Sequence, residues 1–469
     1  MSPDIAASKC LADTIVALAS GAGRAAVAVI RVSGPRTRDV LEALCGALPE
    51  PRHATLRRLR DRKSGALLDR GLVLWFPAPA SFTGEDMAEL HVHGSRAVIR
   101  ETIDAALTVE GTRLAEPGEF ARRAFENGKL DLTEVEGLAD LVYAETEAQR
   151  RQALAQSEGS LRTLYEGWRA ELLKAQALIE AGLDFADEGD VVADVAVKSE
   201  AIVTGLLQSI SHHLADRRGE RLRDGFRVVI AGPPNAGKSS LLNALARRDV
   251  AIVSEEAGTT RDVIEVHLDL AGIPVLLIDT AGLREAQGQV EAEGVRRALA
   301  RAEQADLVLF LVDATAPQWT PPPDFREFGS FLLSDAVSPQ FDAVSPQITA
   351  ILVLNKRDLV PPEMPVPDGV LAISAKTGEG LDVLLKSLEN QAITATSFGS
   401  GAPLLTRTRH RVELESAHYA LSRFMDKSLI LELKAEELRV AARHLGRLTG
   451  HIDVEDVLGA IFAEFCIGK

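Results

Sequence analysis

Apolar residues recur along this chain with two periods, and the places where one gives way to the other divide it. Residues 25–32 and 71–76 are apolar runs of strand length, 87–93 partly alternates, and 37–48 and 96–107 carry helical spacing. Residues 1–127 therefore read as a mixed α+β unit. Beyond 128 the texture turns to Ala, Leu and Glu with almost no Gly or Pro, which predicts long helices over 132–156 and 161–185. The basic, Gly-containing stretch 217–225 reads as a linker; a strand opens at 226–230, and an α/β alternation runs to about 388. Residues 399–403 form a flexible link into helices at 411–427, 435–448 and 454–465. If these pack with the earlier helical block, the α/β unit is an insertion in a helical domain. The expected domains are 1–127, 128–223 as the first helical part, 224–388, and 389–469 as the second. A tandem repeat, DAVSPQF at 335–341 followed by DAVSPQI at 342–348, is too short for a solenoid and reads as a duplicated surface loop.

Charge narrows the partners. The 469 residues carry 52 Lys plus Arg against 68 Asp plus Glu, a net −16, so the chain does not hold nucleic acid by bulk electrostatics. Any RNA contact is local, and the basic runs 57–63 and 407–411 are the candidates. Cys10, Cys45 and Cys466 include no C-x-x-C pair, which excludes a disulfide framework or structural zinc site and fits a reducing compartment, the cytoplasm. The first 30 residues lack the pattern of an export signal, and no uninterrupted apolar segment of about 18 residues predicts a membrane span.

The chemistry is concentrated in the α/β unit. Gly232-Pro-Pro-Asn235-Ala236-Gly237-Lys238-Ser239 matches G-x-x-x-x-G-K-[ST] and lies between an apolar strand and a helix opening at Ser240. There the glycines let backbone N–H groups approach phosphate oxygens, Lys238 reaches the β and γ phosphates, and Ser239 ligates Mg²⁺. Asp279-Thr280-Ala281-Gly282 follows another strand, where a carboxylate can hold Mg²⁺ through water and the Gly282 N–H can sense the γ-phosphate. Asn355-Lys356-Arg357-Asp358 and Ser374-Ala375-Lys376 complete a base pocket. A fixed carboxylate at Asp358 accepts both the ring and the exocyclic N–H of guanine, and adenine offers no such pair, so the nucleotide is GTP. The alternation over 263–278, turning at Ala271-Gly272, predicts a β-hairpin and a Ras-like G domain. Leu283 stands where Ras-like enzymes place a water-orienting glutamine, so another group must orient water.

In these residues the chain resembles the MnmE (TrmE) family of tRNA-modifying GTPases, over nearly its whole length. The G-domain similarity lies in Asn235, in Gly258-Thr259-Thr260-Arg261-Asp262 and in Asp279 through Glu285. The resemblance implies a potassium ion surrounded by Asn235, Ser254, Glu256 and Thr259, Thr260 on Mg²⁺, and Glu291 as the water-orienting residue. A cation against the β–γ bridge offsets charge developing in the transition state. Outside the G domain, Arg31 and its neighbours, the run 81–86, Glu89 before His91-Val92-His93-Gly94, and 117–120 through 128–132 resemble the family's folate-binding domain. Ser95 stands where the family usually has a second glycine. The resemblance implies that Arg31, Glu89, Lys129 and Lys469 contact a 5-formyl- or methylene-tetrahydrofolate. Arg and Lys suit its carboxylates, and Glu suits the pterin N–H donors. His91 and His93 alternate on one strand without a third metal ligand. The ending Phe465-Cys466-Ile467-Gly468-Lys469 is the family's signature, and Cys466 is a candidate nucleophile toward uracil C6.

The expected architecture is an N-terminal α+β folate-binding and dimerisation domain, a helical domain, and an inserted Ras-like α/β P-loop G domain. The implied activity is K⁺-activated GTP hydrolysis in a homodimer, coupled to an FAD-dependent GidA/MnmG-type partner in a heterotetramer or larger complex. That complex adds an aminomethyl or carboxymethylaminomethyl group at C5 of the wobble uridine of certain tRNAs. The competing readings are a GTPase switch in ribosome assembly and a folate sensor that only binds nucleotide; neither explains the folate-domain runs together with an intact P-loop.

Overall fold

The computed structural model describes residues 13–21, 23–184, 189–252, 265–279, 305–316, 349–367, 369–396 and 403–452, with 458, 459, 461, 462, 465 and 468. Two compact units divide the chain. One comprises Met1–Ala139, Gln156–Val203 and Tyr419–Lys469, the other Asp140–Ala155 and Thr204–His418.

The first unit opens with a six-stranded sheet of order β3-β4-β5-β2-β1-β6. Its members are β1 (Thr14–Leu18), β2 (Ala25–Ser33), β3 (Thr55–Arg60), β4 (Leu67–Phe76), β5 (Met87–Gly94) and β6 (Thr112–Leu114). All pairings are antiparallel except β1 with β6. Alternate residues Ile30, Val32, Val73, Trp75, Leu90 and Val92 face α1 (Thr37–Cys45) and α2 (Arg96–Leu107), and their burial closes the core. Strands β1, β3 and β6 go beyond the expected ones: β6 has three residues, and β3 carries three arginines in six positions, which breaks the apolar run. After α3 (Glu119–Glu126), helix α4 (Leu132–Tyr143) starts with a reciprocal cap. Asp131 Oδ1 accepts from Glu134 N at 2.8 Å, and Glu134 Oε2 accepts from Asp131 N at 2.7 Å.

The single helix expected over 132–156 is two, α4 and α5 (Glu147–Ser157). A second capping box makes the break: Gln149 Oε1 accepts from Thr146 N at 3.1 Å, and Thr146 Oγ1 accepts from Gln149 N at 3.4 Å. Helix α6 (Ser160–Asp184) follows, buried at Leu161, Tyr165, Trp168, Leu172, Ala175 and Ile179. That alternating three- and four-residue spacing is the stripe that packs two helices side by side. Next come α7 (Gly189–Ala215) and α8 (Arg218–Asp224). Helix α8 corrects the linker expected at 217–225. Its few apolar residues give little periodicity, yet Leu222 is buried and Gln152 Nε2 donates to Gly219 O at 2.9 Å. A Cβ on Gly219 would lie 2.3 Å from Leu405 O, so the helix is held at close range.

The second unit is built on a sheet of order β12-β11-β10-β7-β9-β8, parallel except for β8 with β9. In chain order these elements are β7 (Phe226–Ala231), α9 (Lys238–Leu245), β8 (Glu265–Leu270), β9 (Ile273–Asp279), β10 (Leu307–Asp313), β11 (Thr349–Asn355), β12 (Leu371–Ala372) and α10 (Leu381–Thr396). The hairpin expected over 263–278 is β8–β9, turning at Ala271 and Gly272. Strand β10 is apolar at every position before Asp313, as a strand buried on both faces must be. The last helices are α11 (Thr408–Phe424) and α12 (Leu431–Thr449), the latter burying Leu438, Ala441, Leu445 and Leu448. Among the described residues no helix is long and apolar enough to cross a membrane. The tandem repeat, residues 399–402 and most of the helix expected at 454–465 lie outside the described residues.

Candidate functional site

The nucleotide loop is shaped by backbone crowding. Gly232 has φ +144° and a Cβ there would meet Leu311 O at 2.2 Å; Gly237 has φ +97° and a Cβ would meet Asn355 Nδ2 at 2.2 Å. Only glycine fits either place, and α9 begins immediately afterwards at Lys238, aiming free N–H groups at the loop. Asn235 is exposed and also has positive φ, +62°. Lys238 Nζ donates to Gly232 O at 2.9 Å and Pro233 O at 3.0 Å. Burial pulls its pKa down while Asp279 pulls it up, and the net direction is downward. The ammonium is thus partly desolvated and, among the described residues, has only carbonyl oxygens as hydrogen-bond acceptors, a state in which a phosphate is a better partner.

At the end of β9 the fully buried Asp279 accepts from Ser239 Oγ at 2.8 Å through Oδ2. A hydroxyl and a carboxylate side by side are hard oxygen donors of the kind Mg²⁺ takes, and they fit it.

The base side is tied to the loop by one side chain. Asn355 Nδ2 donates to Ala236 O at 2.8 Å, and Asn355 Oδ1 accepts from Ala375 N at 3.0 Å. Ser374 Oγ donates to Asp358 Oδ1 at 2.6 Å, and Asp358 itself is exposed toward a ligand. Lys356, at φ +66°, reaches Asp313 Oδ2 at 2.6 Å. Partial burial opposes charge on Asp313, but hydrogen bonds from Lys356 and Thr315 hold its carboxyl below the usual range. Asp313 escaped the sequence reading; its signal was a lone carboxylate ending an apolar strand, where α/β sheets place ligands. The structure therefore brings together Lys238, Ser239 and Asp279, and separately Asn355, Lys356, Asp358, Ser374 and Ala375; Ser240 and Lys376 are exposed nearby in sequence. Ser254, Glu256, Thr259, Thr260, Thr280, Ala281, Gly282 and Glu291 lie outside the described residues.

In the first unit, Arg31 on β2 and Glu89 on β5 are cross-strand neighbours. Glu89 Oε1 accepts from Arg31 at 3.0 and 3.3 Å, and His91 Nε2 lies 3.3 Å from Oε2. The Arg31 guanidinium also lies 5.5 Å from the Phe82 ring centre and 5.7 Å from that of Phe120, and donates to Gly468 O at 3.3 Å. Lys129 is exposed, its stem against the turn at Gly84, where a Cβ would lie 3.3 Å from Lys129 Cε. The loop 81–86 thus touches Arg31 through Phe82 and Lys129 through Gly84. Lys469 and Cys466 lie outside the described residues. His93 Nδ1 is 2.8 Å from Asp69 Oδ1, so each histidine has a carboxylate of its own.

Beneath that loop is a network the sequence did not announce. Arg123, 2% exposed, donates to Glu85 Oε2 at 3.1 Å, Glu119 Oε1 at 3.0 Å and Asp13 O at 2.9 Å. Burial raises the Glu119 pKa, but Arg113, the Glu116 amide and Arg123 outweigh it, and the carboxyl stays below its usual range. Ser33 Oγ donates to Glu85 Oε2 at 2.8 Å, which fastens the loop to β2.

Two family descriptions match the chain. One, the GTP-binding protein TrmE N-terminus, covers residues 14–129, and the other, the MnmE helical domain, covers residues 132–466. The tRNA modification GTPase MnmE of Parvibaculum lavamentivorans is 53% identical over 97% of this chain and 100% of its own length. The human mitochondrial 5-taurinomethyluridine-[tRNA] synthase subunit GTPB3 is 51% identical over 97% of this chain and 93% of its own. Among solved structures the chain is similar to Aquifex aeolicus Era bound to GDP.AlF4−, with 26% identity and a TM-score of 0.25, over 43% of this chain and 68% of that one. The glycine-shaped loop, the guanine-type tie through Asn355 and the full-length relatives agree: the chain belongs to the MnmE (TrmE) family of tRNA modification GTPases.

Proposed function

We propose that this GTPase works as a K⁺-activated homodimer in the cytoplasm. With an FAD-dependent GidA/MnmG-type partner, in a heterotetramer or larger complex, it installs an aminomethyl or carboxymethylaminomethyl group at C5 of the tRNA wobble uridine, drawing the carbon from a tetrahydrofolate. The observation that carries this reading is the presence in one chain of two separate anion-receiving arrangements, the Lys238 loop and the Arg31–Glu89 pair with Phe82 and Phe120 around it. A switch that only hydrolysed GTP needs the first alone.

On GTP binding, Lys238 exchanges the Gly232 and Pro233 carbonyls for phosphate oxygens, and the N–H groups opening α9 take the rest of the charge. Asn355 keeps the base loop and the phosphate loop in register, and Asp358 accepts the guanine N–H pair. Ser239 and Thr260, with Asp279 through water, would hold Mg²⁺, which would supply positive charge against the β and γ phosphates. Asn235, with Ser254, Glu256 and Thr259, would hold K⁺, which would supply the positive charge that an arginine finger supplies elsewhere. Glu291 orients the attacking water. In the first unit, Glu89 receives pterin N–H donors while Arg31, Lys129 and Lys469 receive carboxylates. Hydrolysis resets conformation; it does not form the new C–C bond. Cys466 is a candidate nucleophile in the partner complex.

The test is mass spectrometry of nucleosides from bulk tRNA of a strain lacking the gene, rescued with wild type or Asn235→Ala. Wobble C5-aminomethyl uridines disappear on deletion, return with wild type and stay absent with the variant at normal protein level. Their persistence after deletion defeats the tRNA assignment and favours a role in ribosome assembly.

A further inference from the structure

Of the two basic runs in this acidic chain, one is consumed by the fold. Arg407 is buried and pairs with Asp140 at 2.8 Å, and Arg411 pairs with Glu220 at 2.9 Å and donates to Leu214 O at 2.5 Å. These arginines replace water with internal partners, so the 407–411 run is not the RNA-facing patch that its composition allowed.

The other run is arranged in the opposite way. Residues 52–70 hold seven Lys or Arg and two Asp, a net +5 within a chain of −16. They form β3, its turn and the start of β4, with β3 at the open edge of the sheet. Both carboxylates are committed elsewhere. Asp61 closes the turn by accepting from Lys63 N at 3.2 Å and Ser64 N at 2.9 Å, and Asp69 accepts from His93 N at 2.8 Å and lies 2.8 Å from His93 Nδ1. Arg58, Arg60, Arg62, Lys63 and Arg70 are exposed, and none forms an ion pair with a described residue.

The register makes this more than a solvated edge. Arg58 stands directly opposite Arg70. Like charges in a cross-strand pair repel and weaken a sheet. Charge on an edge strand is a known guard against unwanted pairing, which accounts for Arg58 and Arg60. It does not account for facing Arg58 with a second arginine: Arg70 lies on β4, paired to β3 and two residues before the β4–β5 ladder begins at Leu72. A polyanion does account for it, since a phosphate between two guanidinium groups turns their repulsion into two charge-assisted contacts. Same-face residues on a strand are about 7 Å apart, so Arg58 and Arg60 meet successive points along an extended backbone.

We infer that the exposed face of the β3–β4 hairpin docks the sugar–phosphate backbone of the tRNA substrate, through Arg58, Arg60 and Arg70 with Arg62 and Lys63 at the turn. This rests on the tRNA-modifying reading above. The contact positions RNA without reading its sequence.

The experiment measures binding of labelled bulk tRNA to the full-length protein by fluorescence anisotropy between about 50 and 200 mM KCl, for wild type and for Arg58→Gln/Arg70→Gln. Two lost phosphate contacts predict a log–log salt slope shallower by about 1.4 to 1.8 and at least tenfold weaker binding at 100 mM. Tm stays level or rises, since the repelling pair is relieved, and GTP turnover without tRNA is unchanged. The same charge change at Lys174 and Lys198 leaves affinity and slope as in wild type. Wild-type binding that is absent or indifferent to salt overturns the inference, as does a variant with wild-type affinity and slope. A variant that changes its mass in solution overturns it too, and gives the face to a second copy of the chain. If deletion of the gene abolishes the modified nucleosides while the variant binds as wild type, only the docking surface is wrong; if the nucleosides persist, the reading beneath it has failed.

Discussion

Lys238 and Arg31 both offer a cation to an anionic ligand, but the fold supplies them differently. Among the described residues Lys238 hydrogen-bonds to the carbonyls of its own loop alone, and burial weakens its hold on its proton. Arg31 already has a carboxylate, two aromatic rings and the Gly468 carbonyl. A cation short of strong partners contributes to function more than to stability, whereas one with a full set of partners contributes to both. Arg123 extends the series to its limit, buried between two carboxylates and a carbonyl with no surface left for a ligand.

Lys238→Ala gives the largest effect. Phosphate release assays show turnover down by at least about 10³-fold, roughly 4 kcal/mol of transition-state stabilisation, while Tm is unchanged or slightly higher. A Tm loss matching that of an Arg31 variant breaks the comparison. Arg123→Met comes next. It takes the shared cation from Glu85 and Glu119, leaving Glu119 to Arg113 and Glu85 to Ser33, and costs about 3 kcal/mol in urea denaturation, with nucleotide affinity untouched. Arg31→Met falls between the extremes. Calorimetry shows binding of 5-formyl-tetrahydrofolate weakened by about tenfold or more, and unfolding shows roughly 1–2 kcal/mol lost with the Glu89 pair. Unchanged folate affinity separates Arg31 from the one-carbon site.

The last and most conditional effect, seen only as pH changes, tests a group with too few partners. Burial pushes the Asp131 pKa to about 6, the Glu134 N–H opposes this, and Oδ2 is buried with no partner among the described residues. The folded chain therefore holds this proton more tightly than the unfolded one. The group's contribution is full below about pH 4 and declines as pH rises to about 6, by on the order of 1–3 kcal/mol. Asp131→Asn keeps the Oδ1 acceptor and loses the titration. The difference in unfolding free energy between wild type and variant changes between pH 4.5 and 7.5, and a constant difference shows that the carboxyl is ionised throughout.

Legibility in the sequence followed the separation of the partners. The Lys238 loop is a local motif, so its setting between a strand and a helix could be read in advance. The Thr146–Gln149 capping box was equally local and was passed over because the Ala- and Glu-rich pattern continues across it. Helix α8 could not be read from its own residues, since Gly219 and Leu222 matter through what they touch elsewhere. Arg31 and Glu89 are 58 residues apart, and their pairing depends on strand order, which periodicity does not specify. Resemblance alone singled them out. The Arg123 network lies still deeper, because a buried arginine has the same local signature as an exposed one.

The Gly468 contact has a consequence for the order of events in the cell. Arg31 and Gly468 are 437 residues apart, and a Cβ on Gly468 would meet Leu18 O at 2.1 Å, so this backbone seats flush on β1. At about 5–20 residues per second of synthesis, Arg31 emerges roughly 20 to 90 s before its partner exists. The β-sheet can form early, but the wall around Arg31 stays unfinished until the 437 residues that separate it from Gly468 have followed.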